Sequence, residues 1–180
     1  MDKLLLNNLI TLSLKNDYKA FREIVEAYQL SVYSLVFKLL NNEQDAKDVV
    51  QETFIKVWLN LEKYNADKKF INWLYKIATN LCMDKLRSLK YSENLENNIS
   101  TLIASDNAEQ KMIDEEFEKT VRFLVNGLTP KQKIVFTLHC VDGLEIKEII
   151  EITGMTSAKI KSNLFLARKH IRTKLAHYEK

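Results

Sequence analysis

DAKDVVQETFIKVWLNL (45–61) and FINWLYKIATNLCMDKLR (70–87), joined by the polar connector EKYNADKK (62–69), decide how this chain folds. In the first run Ala46, Val49, Val50, Phe54, Val57, Trp58 and Leu61 recur at three- and four-residue spacing, which predicts a helix with one apolar face to bury. The opposite face carries Asp48, Gln51, Glu52, Ile55 and Leu59. A helix with only a core to serve does not normally set Ile and Leu among its carboxylates. Either another helix of the same domain or a partner protein must cover them.

The second run has its own two faces. Phe70, Leu74, Ile77 and Leu81 form the expected core seam, while Trp73, Lys76, Asn80, Asp84 and Arg87 fall on another face at helical spacing. Cations neutralise phosphates and an exposed ring offers a platform for an unpaired base, so this mixture suits opened or single-stranded nucleic acid. Together, DAKDVVQETFIKVW and F-x-x-WL-x-x-IA-x-N-x-x-x-D-x-LR resemble the second conserved region of bacterial sigma factors of the extracytoplasmic-function (ECF) group. About fifteen positions agree in order over more than forty residues, far beyond a single short motif.

Upstream, Leu5, Leu9 and Leu12 begin a helical period. Asn16 or Asp17 can cap a helix carrying Phe21, Ile24, Val25 and Tyr28, continued by Tyr33, Val36, Phe37 and Leu40 and ended by Asn41 and Asn42. DYKAFREIVEAYQLSVYSLVFKLL also resembles the ECF pattern in its opening Ala-Phe pair. Three helices packed around Phe21, Phe37, Phe54, Trp58 and Leu74 are expected to make a first domain.

Downstream, YSENLENNISTLIASDN loses the period and reads as a flexible, acidic linker. Met112, Val121, Leu124 and Leu128 then mark a further helix seam. Thr129, Pro130 and Gln132 form a capping-box start for a helix with Ile134, Val135 and Leu138, which Gly143 stops. A short helix over 144–153, a turn at Gly154, and a basic helix capped by Thr156 or Ser157 and running to about Tyr178 describe a helix-turn-helix.

Over 128–175 the sequence LTPKQKIVFTLHCVDGLEIKEIIEITGMTSAKIKSNLFLARKHIRTKL resembles the fourth conserved region of the same group. It departs from the family pattern at Ile150, where a small Ala is usual, at Ala158-Lys159 in place of Gly-Thr, and at Leu166 in place of Arg. The first asks for a re-packed helix crossing, and the last removes a cation from the recognition helix.

Composition agrees with this reading and narrows the function. Of 180 residues only three are Gly and one is Pro, too little turn chemistry for hairpins, so the fold class is all-α. Net charge is +3, but its distribution is uneven: between Ile152 and Tyr178 six cations stand without a carboxylate, the footprint of a DNA-binding helix. Cys82 and Cys140 are isolated, and His139, His170 and His177 are scattered, so no metal or other cofactor is expected. Asn7 and Asn8 break the apolar start, no stretch suits a membrane span, and a cytoplasmic location is expected. No paired carboxylates or nucleophile-base pair points to an enzyme or a small-molecule substrate.

The resemblance implies two small helical domains, 1–90 and 108–180, joined by a flexible linker over 91–107. It implies a promoter-specificity subunit whose partners are RNA polymerase core enzyme and promoter DNA, with an anti-sigma protein as a further partner that it allows. Asp48, Gln51, Glu52, Ile55 and Leu59 would meet core polymerase. The loop from Tyr64 to Phe70 would hold a flipped base, with Trp73, Lys76, Asn80 and Arg87 along the opened strand. Lys159, Lys161, Ser162, Asn163, Phe165 and Arg168 would face upstream duplex. The rival reading is a stand-alone helix-turn-helix regulator whose first domain dimerises through the 45–61 helix.

Overall fold

The computed structural model describes residues 1–96, 125 and 127–178, with backbone only over 90–96 and 177–178. The described residues contain helices and no strand: α1 (Lys3–Ser13), α2 (Tyr18–Leu40), α3 (Glu43–Leu59), α4 (Phe70–Glu96), α5 (Pro130–Phe136), α6 (Ile146–Thr153) and α7 (Ser157–Tyr178). A short 3-10 turn, Leu61–Lys63, follows α3, and a π turn, Thr137–Val141, follows α5. Helix α4 runs to Glu96. Residues 91–96 of the linker expected over 91–107 thus continue α4, because its helical hydrogen bonding carries on past Leu89, while 97–107 lie outside the described residues, as do Met112, Val121 and Leu124 of the expected seam.

Local chemistry sets the helix ends. Asp17 Oδ1 accepts from the amides of Lys19 and Ala20 at 2.9 and 3.2 Å, satisfying two orphan donors at the start of α2. Asn41 ends α2 in the left-handed region at φ 54°, and Asn42 accepts from the Asp45 amide at 2.9 Å to start α3. Thr129 and Gln132 close the expected capping box. The Gly154 turn has φ 68°, a conformation that glycine adopts without strain and that places α7 directly after α6.

Helix α2 is the spine of the first bundle and packs on α1, α3 and α4. The bundle therefore has four helices where three were expected, because α1 buries Leu6, Leu9 and Ile10. Leu5 is exposed and Leu12 only half-buried, so the α1 seam is rotated by one position from the expected one.

The core also differs in kind. Phe54 and Leu74 are buried, but Phe21, Phe37 and Trp58 are half-buried, and the fully enclosed positions are aliphatic: Ile24, Val32, Val36, Leu39 and Val57. Large rings sit at the margin, where one face covers the core and the other stays free. Trp58 stacks on Tyr18 at 5.1 Å and takes the edge of Phe21 at 4.9 Å.

The second half is built on α7, which packs α5 and α6 through Ile160, Leu164 and Ala167. Helices α5 and α6 also pack on α4, and buried residues of both halves belong to one apolar cluster.

The two thiols differ as their burial requires. Cys82 is enclosed and its thiol is pushed up to about 12, whereas Cys140 is exposed. An Ellman titration of the native protein should therefore show one fast thiol, lost in Cys140→Ser. The second should react only on unfolding. Two fast thiols would contradict this packing.

Candidate functional site

Three surface features carry the residues singled out in the sequence. The first is a groove of about 770 Å³ between α2 and α3, floored by Phe21, Val25, Val50, Phe54 and Trp58. Gln51, Ile55 and Leu59 form one wall and Leu30 the other. Asp48, Gln51 and Glu52 are exposed beside them, Ile55 is 51% exposed and Leu59 67%. No helix of the described residues covers this stripe.

The polar members are held only lightly. Asp48 accepts from the Gln44 amide at 3.1 Å and Glu52 pairs with Lys56 at 3.3 Å, both contacts within α3 itself. Exposed pairs at this spacing contribute only a few tenths of a kcal/mol, so these carboxylates are available to a partner. Tyr18 and Leu30, both exposed on the α2 side, extend the apolar wall. Their sequence positions gave no sign of it, because which α2 face meets α3 depends on the interhelical packing.

The second feature is a smaller cleft of about 280 Å³ where the end of α3 meets α4. Trp73, Lys76, Asn80 and Asp84 line it as the helical spacing predicted, while Arg87 lies a turn further on, 3.5 Å from Asp84. Ile77 and Leu81 of the expected seam also reach it, and Lys56, Asn60 and Lys63 join the lining. Sequence reasoning missed these three, since the turn of chain through 60–63 sets their register against α4. Lys63 Nζ donates to Asn60 Oδ1 at 2.8 Å, and the Asn60 amide donates to the Lys56 carbonyl at 2.9 Å.

Above this cleft the connector is a built loop. Tyr64 packs edge-on to Phe70 at 4.9 Å and tilts against Trp73 at 5.4 Å, so three rings clamp both ends of the loop. Burial pushes the Tyr64 phenol above its usual value, and its hydroxyl donates to the Lys68 carbonyl at 2.6 Å. Asn65 Oδ1 accepts from the Asp67 amide at 2.9 Å. A loop with fixed walls and a cationic floor can hold a base taken out of its stack.

The third feature lies on α7. Lys161, Phe165, Arg168, Lys169 and Arg172 line a shallow cavity of about 640 Å³ with His139. At about 100° per residue, Lys159, Ser162, Asn163 and Leu166 fall on the neighbouring part of the same solvent arc, opposite buried Ile160, Leu164 and Ala167. The predicted set therefore spans two adjoining strips. Asn163 is half-buried and its amide donates to the Lys159 carbonyl at 2.7 Å, and Arg168 rests 3.6 Å from the Cys140 sulfur. Lys169 and Arg172 add cations that the sequence-derived set had omitted. Ile150 is partly exposed, so a large residue at that position meets solvent.

Among the described residues no group of three or more His, Cys, Asp or Glu could hold a metal ion, and no described helix is long and apolar enough to cross a membrane.

Comparison with known proteins follows the same division. Residues 24–91 match the sigma-70 region 2 family and residues 119–171 the sigma-70 region 4 family. The ECF RNA polymerase sigma factor SigW of Bacillus subtilis is 30% identical over 171 residues, 89% of this chain and 91% of that one. The ECF RNA polymerase sigma-E factor of Escherichia coli K12 is 33% identical over 172 residues, 89% of each chain. Among solved structures, CnrH in complex with the cytosolic domain of CnrY superposes with a TM-score of 0.69 at 19% identity, covering 98% of this chain and 97% of CnrH. The sigma factor RpoE of Bartonella quintana, solved in complex with the anti-sigma factor NepR, gives 0.66 at 19%, covering 88% and 98%. Two family matches in order and full-length relatives at this identity place the chain in the ECF group of RNA polymerase sigma factors.

Proposed function

We propose that the chain binds RNA polymerase core through the α3 stripe and its groove, and reads promoter DNA with the α3–α4 cleft and α7. Asp48, Gln51 and Glu52 supply charge and hydrogen-bonding groups to core polymerase, with Ile55 and Leu59 giving apolar contact area. Tyr64 and the ring-clamped loop hold an extruded base, and Trp73, Lys76, Asn80 and Arg87 follow that strand. Lys159, Lys161, Ser162, Asn163, Phe165 and Arg168 meet the upstream duplex, where cations position the protein and polar groups address base edges. The units that do this are the first half, through the end of α4, and 108–180, with the chain between them as tether.

The observation that carries the reading is the exposure of Ile55 and Leu59 among carboxylates, in a chain that also carries the strand-suited cleft and a basic recognition helix. The stand-alone regulator is not favoured, because the first half matches sigma-70 region 2. Work in this role is done by binding and not by turnover, in the cytoplasm where polymerase acts. An anti-sigma protein is a further proposed partner, since the structural neighbour RpoE was solved with one. The test is reconstitution: core polymerase plus this chain should start transcription at a promoter set that core alone ignores. Absence of both co-purification and transcription would reject the assignment.

A further inference from the structure

Lys161, Ser162, Phe165 and Leu166 of α7 are all exposed and stand at i, i+1, i+4 and i+5, so they form one compact patch facing away from buried Ile160, Leu164 and Ala167. Two of the four are apolar: Phe165 is 67% exposed and Leu166 45%. At about 100° per residue Ser162 projects between them.

The register of this patch is fixed from below. Ile160 and Ala167 are fully enclosed, and the Lys159 amide donates to the Thr156 hydroxyl at 3.3 Å at the start of the helix. The Asn163 amide turns back onto the Lys159 carbonyl at 2.7 Å, which leaves Ser162 as the outward polar side chain beside Leu166.

We propose that Leu166 is a specificity residue for the upstream duplex: it reads a thymine through the C5-methyl group, with Phe165 as a second apolar contact beside it. The inference rests on the upstream-duplex role proposed for α7.

What surrounds the pair selects the occupant. Lys159, Lys161, Lys169 and Arg172 share the same solvent arc and have no ion-pair partner among the described residues, and no carboxylate occurs between Ile152 and Tyr178. An apolar protein surface seated on Leu166 would take these charges out of water without compensation, whereas a DNA groove brings phosphates along both of its edges.

Inside the major groove the choice narrows further. Base edges there present hydrogen-bond donors and acceptors, and the thymine methyl is the one apolar group among them. A leucine set against guanine, adenine or cytosine leaves a polar edge dehydrated and unpaired, which is destabilising. Against thymine it buries a methyl, a gain of about fourfold in affinity. An Arg at this position, as in the family pattern, could offer two N–H groups to guanine O6 and N7, and Leu166 has none to offer. The base pair beneath this position should therefore carry thymine where an Arg would favour guanine.

The test starts from a randomised duplex library, enriched at low salt by the full chain and, in parallel, by its Leu166→Arg variant. The two selected sites should differ at one base pair, thymine for wild type and guanine for Leu166→Arg. Each thymine of the wild-type site is then replaced singly by deoxyuridine, which keeps the pairing and removes only the methyl. One replacement should weaken wild-type binding about fourfold and should no longer matter to Leu166→Ala. That variant keeps its fold, because Leu166 lies at the surface and alanine is the better helix former. If wild type enriches a site and no deoxyuridine replacement separates it from Leu166→Ala, Leu166 touches no thymine methyl and the inference is overturned. If wild type enriches no sequence at all, the upstream-duplex role of α7 is what fails, and this inference falls with it.

Discussion

Gln51→Ala combined with Glu52→Arg is expected to abolish retention of the chain on immobilised core polymerase while leaving its thermal unfolding curve unchanged. Both side chains are exposed on α3, and the one ion pair lost, Glu52 to Lys56, is an exposed contact worth a few tenths of a kcal/mol. Folding therefore has almost nothing to lose. Binding has more, because central contacts of an interface are typically worth about 2 kcal/mol each, roughly thirtyfold in Kd, and a reversed charge adds repulsion wherever the partner presents cations. Ile55→Ala should give a smaller loss, since it removes apolar area at the groove wall without leaving a charge unpaired. Retention at the wild-type level by a normally folded double variant would remove α3 from the polymerase contact.

That the α3 stripe was readable in the sequence has a physical cause. A helix repeats every 3.6 residues, so Ile55 and Leu59 could be placed opposite Val49 and Val57 without knowing what surrounds them. The caps Asp17 and Thr129 were equally legible, because they act on amides two or three residues away, whereas Asn42 was read only as ending α2 and in fact caps α3. What depended on packing was not. The α1 seam moved from Leu5 and Leu12 to Leu6 and Ile10, since the angle at which α1 crosses α2 decides which leucines meet it. Phe21, Phe37 and Trp58 looked like core by size, yet the helices approach closely enough through Val and Ile that the rings are left at the rim.

The candidate sites divide along the same line. Trp73, Lys76, Asn80 and Asp84 share one helix and were grouped correctly by spacing. Lys56, Asn60 and Lys63 join them only through the 3-10 turn after α3, and no local pattern announces that turn. Lys38–Asp142, Lys69–Glu148 and Asn72–Glu151 pair residues 104, 79 and 79 positions apart. Contacts at that separation follow from how preformed units dock, and a single sequence carries no periodic signal for them.

Asn80→Ala and Trp73→Ala are expected to cripple promoter opening while leaving duplex binding by the polymerase complex nearly intact. Base stacking on an aromatic side chain is worth about 1–3 kcal/mol, so losing one platform should lower the opened fraction by roughly five- to a hundredfold. Duplex DNA keeps its bases stacked and presents mainly phosphates, which the exposed cations of α7 still meet. Permanganate reactivity of thymines in the downstream element reports the opening, and gel retardation of the closed complex reports the duplex. Asn80 is the cleaner probe, because it is exposed in the cleft and its truncation leaves the ring cluster untouched. Trp73 also braces Tyr64 and Phe70, so Trp73→Ala loosens the loop as well as removing the platform. Trp73→Phe separates the two effects: it keeps a ring for both jobs and should recover most of the opening. If Asn80→Ala and Trp73→Ala weaken duplex binding and leave permanganate reactivity per bound complex unchanged, the α3–α4 cleft contacts the closed duplex and holds no unpaired strand.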